Sequence, residues 1–222
     1  MTVVVGIIGP PCSGKSTVAR RLCVPMGESD ARALAWIDAD RIAKSMLLEP
    51  EIKTRLIDLF GDGILDHQGN VERSEIAQRV FGESEVSKQA LEQLTRLVHP
   101  PTHARIWQQL RAAQQSQLTH VVLDVPLLIE SQWHLVCDEV WYLEVPSQQQ
   151  QMLLQRRGWS QEEWQRRLQR QAPLEEKRRY ATRVLNNAGD ESFLENQVDH
   201  FMRGWEVCPP APDHCLGAGT SI

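Results

Sequence analysis

The 222-residue sequence contains no apolar run that approaches the length of a membrane span. Its amino terminus is expected to lead directly into a core strand rather than to form a signal peptide. It has no excess of positive charge either. Its 24 lysines and arginines against 29 aspartates and glutamates give a formal net charge of −5, which argues against a nucleic-acid-binding surface. The five cysteines form no C-x-x-C pair and are odd in number, so free thiols are expected. These absences predict a cytoplasmic enzyme without nucleic-acid or membrane partners, and they leave its oligomeric state open.

A glycine-bounded loop follows the first apolar run of the chain. Residues 3–8, VVVGII, predict a buried strand of a parallel sheet, and GPPCSGKS at 9–16 matches the P-loop pattern G-x-x-x-x-G-K-[ST]. A helix can begin at Thr17, so strand, loop and helix come in the required order. The loop backbone would then hold phosphate oxygens, with Lys15 at the β- and γ-phosphates and the Ser16 hydroxyl on Mg²⁺. The residues expected to bind ATP here are Cys12, Ser13, Gly14, Lys15, Ser16 and Thr17.

Short apolar runs alternate with amphipathic segments along the rest of the chain. Further strands are expected at 35–37, 120–128, 138–145 and 184–185, and a last helix at 193–205. This order predicts an α/β fold: a doubly wound parallel five-stranded sheet that binds nucleotide at the carboxyl ends of its strands. The expected parts are a core (1–40 and 118–147), a helical acceptor-binding subdomain (about 41–117), a lid (about 148–180), a closing strand and helix (181–204) and a disordered tail (205–222).

The sequence lacks the elements that would mark a GTPase. No N-K-x-D element is present, and Asp124 is followed by Val125-Pro126-Leu127 instead of the D-x-x-G pattern. A motor or transporter ATPase would be larger. A small-molecule kinase is therefore favoured over a binding protein that keeps the P-loop without transferring phosphate.

Three aspartates at predicted strand ends are candidates for the chemistry. Asp40 would face the γ-phosphate and accept the proton of an attacking hydroxyl, and Asp38 would hold Mg²⁺ through water. The alternative is that one of them only caps the following helix. Asp124 would reach Mg²⁺, or it is a plain strand-end residue.

An arginine-rich segment lies late in the chain, where a mobile lid would cover bound nucleotide. It reads QRRGWSQEEWQRRLQRQAPLEEKRR. One or two of these arginines would neutralise charge on the transferred phosphoryl group, and the others would form a solvated helix face.

An ordered set of motifs resembles the dephospho-CoA kinase family across about residues 3–204. Besides the P-loop, it comprises IDAD at 37–40, VERSEIAQRVF at 71–81, LVHP at 97–100, VPLLIE at 125–130, the lid segment and VLNNAG at 184–189. The resemblance implies a P-loop kinase fold with a CoA domain and a lid. It also implies ATP-dependent transfer to the ribose 3′-hydroxyl of dephospho-CoA, the last step of coenzyme A synthesis. Other small-molecule or nucleoside kinases remain the alternative.

The resemblance also implies roles for individual residues. Asp40 takes the role of base, and Lys15, Arg156 and Arg167 hold phosphates. Asn187 and Gly189 lie near adenine, while the acceptor side is lined by Arg73, His99 and Glu130. The sequence departs from the family's usual G-G-I-G-S-G-K-S loop, since Pro10, Pro11 and Cys12 replace its middle.

Overall fold

The computed structural model describes residues 2–24, 34–82 and 84–207. Its sheet consists of β1 (Val3–Ile8), β2 (Leu34–Asp38), β3 (His120–Asp124), β4 (Glu139–Glu144) and β5 (Arg183–Asn186), in the order β2-β3-β1-β4-β5. Every neighbouring pair is parallel. The helices are α1 (Lys15–Leu22), α2 (Ala39–Met46), α3 (Pro50–Phe60), α4 (Arg73–Val80), α5 (Glu85–Gln115), α6 (Ser147–Arg157), α7 (Gln161–Leu168), α8 (Leu174–Arg179) and α9 (Glu191–Val207). The predicted parallel five-stranded α/β fold is confirmed.

Alternating side chains of β1 enter two separate cores. Val4 and Ile8 join the core formed with α2 to α5, whereas Val5 and Ile7 pack with α1 and α9. Because side chains of a strand alternate between faces, each face of the sheet is covered by helices. The nearly continuous apolar character of β1 follows from this burial on both sides.

The helical subdomain follows β2 and is dominated by α5, a 31-residue helix that contains Pro100 and Pro101. Proline lacks an N–H donor and disfavours a helix interior. Beside the prolines, the Thr102 hydroxyl donates a hydrogen bond to the Val98 carbonyl one turn earlier, at 2.7 Å. Before α4, an antiparallel bridge joins Leu65 and Val71, as a tight hairpin would.

Several predicted boundaries are wrong. β3 ends at Asp124 instead of residue 128, because Pro126 removes a backbone donor and the chain leaves the sheet through turns. α1 begins at Lys15, two residues before the predicted start, and α9 extends to Val207, into the segment predicted to be a tail. The predicted disorder of 208–222 lies outside the described residues. Within the ranges that the structure describes, no helix is both long and apolar enough to cross a bilayer.

Candidate active site

The P-loop lies at the carboxyl end of β1 and depends on residues with positive φ. Gly9 and Gly14 have φ of 152° and 97°, and Cys12 adopts 59°. A Cβ at Gly14 would approach the Asn187 side-chain amide to 2.8 Å. Gly14 is therefore required by both its conformation and its surroundings. The turn brings the start of α1 directly under the loop, where the positive end of a helix favours an anion.

Lys15, the first residue of α1, places its ammonium over the loop. Its Nζ donates hydrogen bonds to the Pro10 carbonyl at 2.7 Å and to the Gly9 carbonyl at 3.3 Å. Burial lowers the pKa of Lys15 to about 8, and Asp124 opposes that shift. Part of the lysine population is therefore neutral in mildly alkaline solution.

Three side chains that sequence reasoning did not assign to loop support hold the P-loop from outside. The buried Gln150 amide donates to the Cys12 carbonyl at 3.2 Å, and the Trp164 indole donates to the Pro11 carbonyl at 3.0 Å. Asn187, which the resemblance places near adenine, donates its amide to the Ser13 carbonyl at 2.8 Å. The lid helices and the β5 end are thus hydrogen bonded to the loop backbone. Only the VLNNAG motif at 184–189, which contains Asn187, gave a sequence signal for one of these contacts.

The other residues predicted to bind ATP lie in or next to the P-loop. Ser16 and Thr17 lie in the first turn of α1, and the Ser16 side chain is exposed. The Cys12 thiol donates to the Leu153 carbonyl of α6 at 3.3 Å, so its sulfur is directed toward the lid helix. The carbonyl of Gly189 accepts a hydrogen bond from Gln149 at 2.7 Å.

The three aspartates lie at one edge of the sheet. Asp38 ends β2 and is the register partner of Asp124 at the end of β3. The Asp38 carboxylate accepts from the Arg41 backbone N–H at 2.9 Å and caps α2, which is the alternative that the sequence left open. Asp40 follows within the first turn of α2 and does not serve as its cap.

Their charges act on one another and on Lys15. Burial raises the pKa of Asp124 to about 6, Lys15 lowers it, and the Asp38 and Asp40 carboxylates raise it further. Asp40 keeps an accessible side, yet desolvation by the surrounding protein raises its pKa as well, and Lys44 opposes that rise. The P-loop cation and three carboxylates therefore share one electrostatic site at the carboxyl edge of the sheet.

The lid arginines differ in their surroundings. Arg156 and Arg157 end α6, and both are exposed. Arg167 on α7 forms an ion pair with Glu163 at 2.9 Å. Arg157, which the sequence did not single out, is the lid arginine whose charge lowers the pKa of both Lys15 and Asp40.

The three expected acceptor-side residues occupy different environments. Arg73 begins α4 and is exposed, and His99 of α5 stacks on His103 with ring centroids 6.0 Å apart. Glu130 accepts a hydrogen bond from the Ala172 backbone N–H at 2.6 Å and pairs with the fully buried Lys177 at 3.1 Å. In this structure Glu130 therefore joins the segment after β3 to the end of the lid.

Comparison with known proteins agrees with this geometry. The family model for dephospho-CoA kinase matches residues 3–192. The chain belongs to the dephospho-CoA kinase family. It is 41% identical to the dephospho-CoA kinase of Rhodopirellula baltica over 198 residues, which cover 89% of this chain and 88% of that protein. The corresponding protein of Carboxydothermus hydrogenoformans is 33% identical, with 91% and 94% covered.

Two solved structures share the fold. TT1252 from Thermus thermophilus superposes with a TM-score of 0.66 at 28% identity, covering 91% of this chain and 97% of that one. The dephospho-CoA kinase from Campylobacter jejuni gives a TM-score of 0.62 at 20% identity with the same coverage, and supports the fold alone. Family membership makes the protein a nucleotide-using kinase, that is, a phosphotransferase of coenzyme A biosynthesis.

Proposed function

We propose that the protein transfers the γ-phosphoryl group of ATP to the ribose 3′-hydroxyl of dephospho-CoA, giving coenzyme A and ADP, with Asp40 as the general base. The single observation that carries the assignment of residues is the placement of Lys15, Asp40 and Asp124 at or just after the carboxyl ends of the neighbouring strands β1, β2 and β3. A phosphate-binding cation beside carboxylates is the arrangement that phosphoryl transfer to an alcohol needs. The family match supports the substrate.

The roles follow from the position of each group. The P-loop N–H groups and Lys15 bind and orient the phosphates, and the α1 amino terminus adds its positive dipole. Asp40 accepts the proton of the 3′-hydroxyl as the oxygen attacks phosphorus. Its raised pKa makes it a stronger base than an ordinary aspartate, since a base is most effective when its pKa approaches the working pH. Arg156 and Arg167 are proposed to meet the phosphates when the lid closes, and Asn187 and Gly189 to lie beside adenine.

The acceptor is proposed to lie between the helical subdomain and the lid, against Arg73, His99 and Glu130. A contact already joins these two parts, because the Arg170 guanidinium lies 5.3 Å from the ring centroid of Phe81 at the end of α4. Residues from the two sides can therefore reach one bound molecule.

Magnesium fits the carboxylate edge. Among the residues that the structure describes there is no cluster of three or more histidine, cysteine or acidic side chains able to form a metal cage by itself. Mg²⁺ needs no such cage, since it is bound through one or two carboxylates together with substrate phosphates and water. Asp124 is buried near other carboxylates, and Ser16 lies in the first turn of α1, so these two residues with Asp38 through water would hold the ion. When bound, Mg²⁺ neutralises phosphate charge.

The same proposal places the protein in the cytoplasm. Cys12, Cys23 and Cys137 are unpaired thiols, as expected in a reducing compartment.

Acceptor identity is tested by coupled ADP release with Mg-ATP. We expect ADP to form in a one-to-one ratio with added dephospho-CoA, and the product to carry its new phosphate on the 3′-oxygen by NMR. Adenosine and a no-acceptor sample are the controls, because they separate a nucleoside kinase and simple ATP hydrolysis from the proposed reaction. Stoichiometric ADP with adenosine, and none with dephospho-CoA, would contradict the assignment.

The metal role of Asp124 predicts a pH-dependent requirement for Mg²⁺. The metal binds the ionised carboxylate, and the pKa of Asp124 is about 6, so protons compete with Mg²⁺ as the pH falls through that value. We expect the Mg²⁺ concentration for half-maximal turnover to rise between pH 8 and pH 5 in the parent. Asp124→Asn should need more Mg²⁺ throughout and show a smaller change with pH. Because protonation of ATP affects both proteins equally, identical pH dependences would remove Asp124 from the metal site.

A further inference from the structure

Two lid guanidiniums lie against one indole ring. The Cζ of Arg167 is 4.1 Å from the ring centroid of Trp159, and the Cζ of Arg157 is 4.5 Å from it. Both distances are within the range of a cation–π interaction, which is strongest with tryptophan. The indole is half-buried and therefore offers a fixed surface to both cations.

The backbone around Trp159 is held by the end of α6. Gly158 adopts the left-handed conformation with φ of 68°, and the Trp159 N–H donates to the Leu154 carbonyl at 3.0 Å. This 6→1 hydrogen bond after a left-handed glycine is a helix-terminating motif that reverses the chain tightly. The reversal brings Trp159 back beside Arg157, the last residue of α6.

The two arginines differ in charge balance. Arg167 is neutralised by its ion pair with Glu163, whereas Arg157 forms no ion pair within the ranges 2–24, 34–82 and 84–207. Arg157 lies one turn after Leu153 on α6, and the Leu153 carbonyl accepts a hydrogen bond from the Cys12 thiol of the P-loop at 3.3 Å. Arg157 is thus a cation without an ion-pair partner in the described ranges, at the end of the helix that packs against the P-loop, and its guanidinium is stacked on the Trp159 ring.

We propose that Trp159 is a positioning residue that holds the Arg157 guanidinium toward the phosphates, so that Arg157 acts as an additional lid cation. An arginine side chain has many rotamers, and fixing it before reaction removes an ordering cost from the transfer step. The inference rests on the proposed function, because it assigns Arg157 a role only if phosphoryl transfer occurs at Lys15 and Asp40.

The experiment is a double-mutant cycle of Arg157→Gln and Trp159→Leu, with ATP affinity measured by titration and kcat and KM measured with dephospho-CoA. We expect Arg157→Gln to lower kcat roughly 10²-fold, as loss of a charge-stabilising donor does. Trp159→Leu should lower kcat about threefold to thirtyfold, the range of a cation–π contact. Trp159 also contacts Arg167, so the cycle is run in the Arg167→Gln background, where Trp159 can act only through Arg157. There the double variant should match Arg157→Gln within about twofold.

Controls separate positioning from folding. Trp159→Phe keeps an aromatic face and should recover most of the turnover, and Arg166→Gln, which removes an exposed charge of the same lid, should leave kcat unchanged. Thermal denaturation of each variant checks the fold, and Trp159→Met replaces Trp159→Leu if the latter unfolds. Additive losses in the cycle with Arg167→Gln, or full activity of Trp159→Leu and Trp159→Met, would overturn the inference.

Failure of the proposed function gives a different result. If the parent does not phosphorylate dephospho-CoA, the acceptor assignment fails, but the ATP titration still reports on Arg157 and Trp159 because it needs no acceptor. We expect ATP affinity to fall in Arg157→Gln and to fall less in Trp159→Leu. If both variants keep the ATP affinity of the parent, and its turnover in whatever reaction the parent catalyses, the roles of Arg157 and Trp159 are contradicted. That result leaves the acceptor assignment untouched.

Discussion

Asp40→Asn is expected to lower kcat by about 10²- to 10⁴-fold while ATP affinity remains nearly that of the parent. The amide keeps the size of the carboxylate but cannot accept the hydroxyl proton, so the loss falls on the chemical step. Asp40 also does not cap α2, since Asp38 accepts the Arg41 N–H. The substitution therefore leaves the helix start intact. The measurements are ATP titration and turnover at saturating dephospho-CoA.

The pH profile gives a second test of the same residue. Desolvation raises the pKa of Asp40, so the parent should lose kcat/KM on the acid side at a pH above the ordinary aspartate pKa. The residual kcat/KM of Asp40→Asn should not show this decrease at acid pH. Asp58→Asn, which neutralises an exposed acid of α3, is the matched control and should behave as the parent does. Turnover of Asp40→Asn within a few-fold of the parent would mean that another group takes the proton.

The sheet and the P-loop could be predicted because their signals are local. A run of β-branched residues that ends in a glycine-bounded loop specifies a strand, a turn and a helix within about twenty residues. The end of β3 could not be placed as well. The apolar run continues past Asp124, so hydrophobicity alone did not mark the boundary that Pro126 sets.

The groups that hold the site in place depend on tertiary contacts, which leave little trace in the sequence. Gln150 belongs to a run of four glutamines, and its amide reaches the Cys12 carbonyl only because α6 packs beside the P-loop. Lys177 lies in a highly charged helix that predicts exposure, yet it is fully buried against Glu130. In each case a residue type typical of a surface becomes structural because a distant segment supplies a hydrogen-bond partner.

The role of the P-loop prolines could be predicted only in part from the sequence. The sequence reveals that Pro10 and Pro11 remove two N–H donors from the loop. The structure adds that their carbonyls are used: Lys15 donates to Pro10, and Trp164 donates to Pro11. The loop thus binds its own lysine and the lid through acceptors that proline retains.

Lys15→Met is expected to weaken both ATP binding and transfer, in contrast to Asp40→Asn. Its charge meets the phosphates before and during reaction, so the loss is shared between ground state and transition state. A hydrogen bond to a charged group contributes about 1.5–3 kcal/mol, which corresponds to a loss of roughly tenfold to a hundredfold in ATP affinity. The loss in kcat should be about 10²- to 10³-fold, as for other charge-stabilising donors. Parent-like ATP affinity would show that the P-loop backbone binds the nucleotide alone.

The lowered pKa of Lys15 also predicts a change of ATP affinity with pH, which a general loss of structure cannot reproduce. In the parent, ATP affinity should fall as the pH rises through about 8, because the lysine loses the proton that the phosphates require. Lys15→Arg stays charged throughout this range, so its ATP affinity, even if reduced, should not fall there.

The stability of the fold depends on the same lysine. The folded protein holds the Lys15 proton less tightly than the unfolded chain does, so the positive charge destabilises the fold below pH 8. Lys15→Met should therefore melt at the same temperature as the parent or above it at pH 7, and a lower melting temperature would contradict this origin of the shifted pKa.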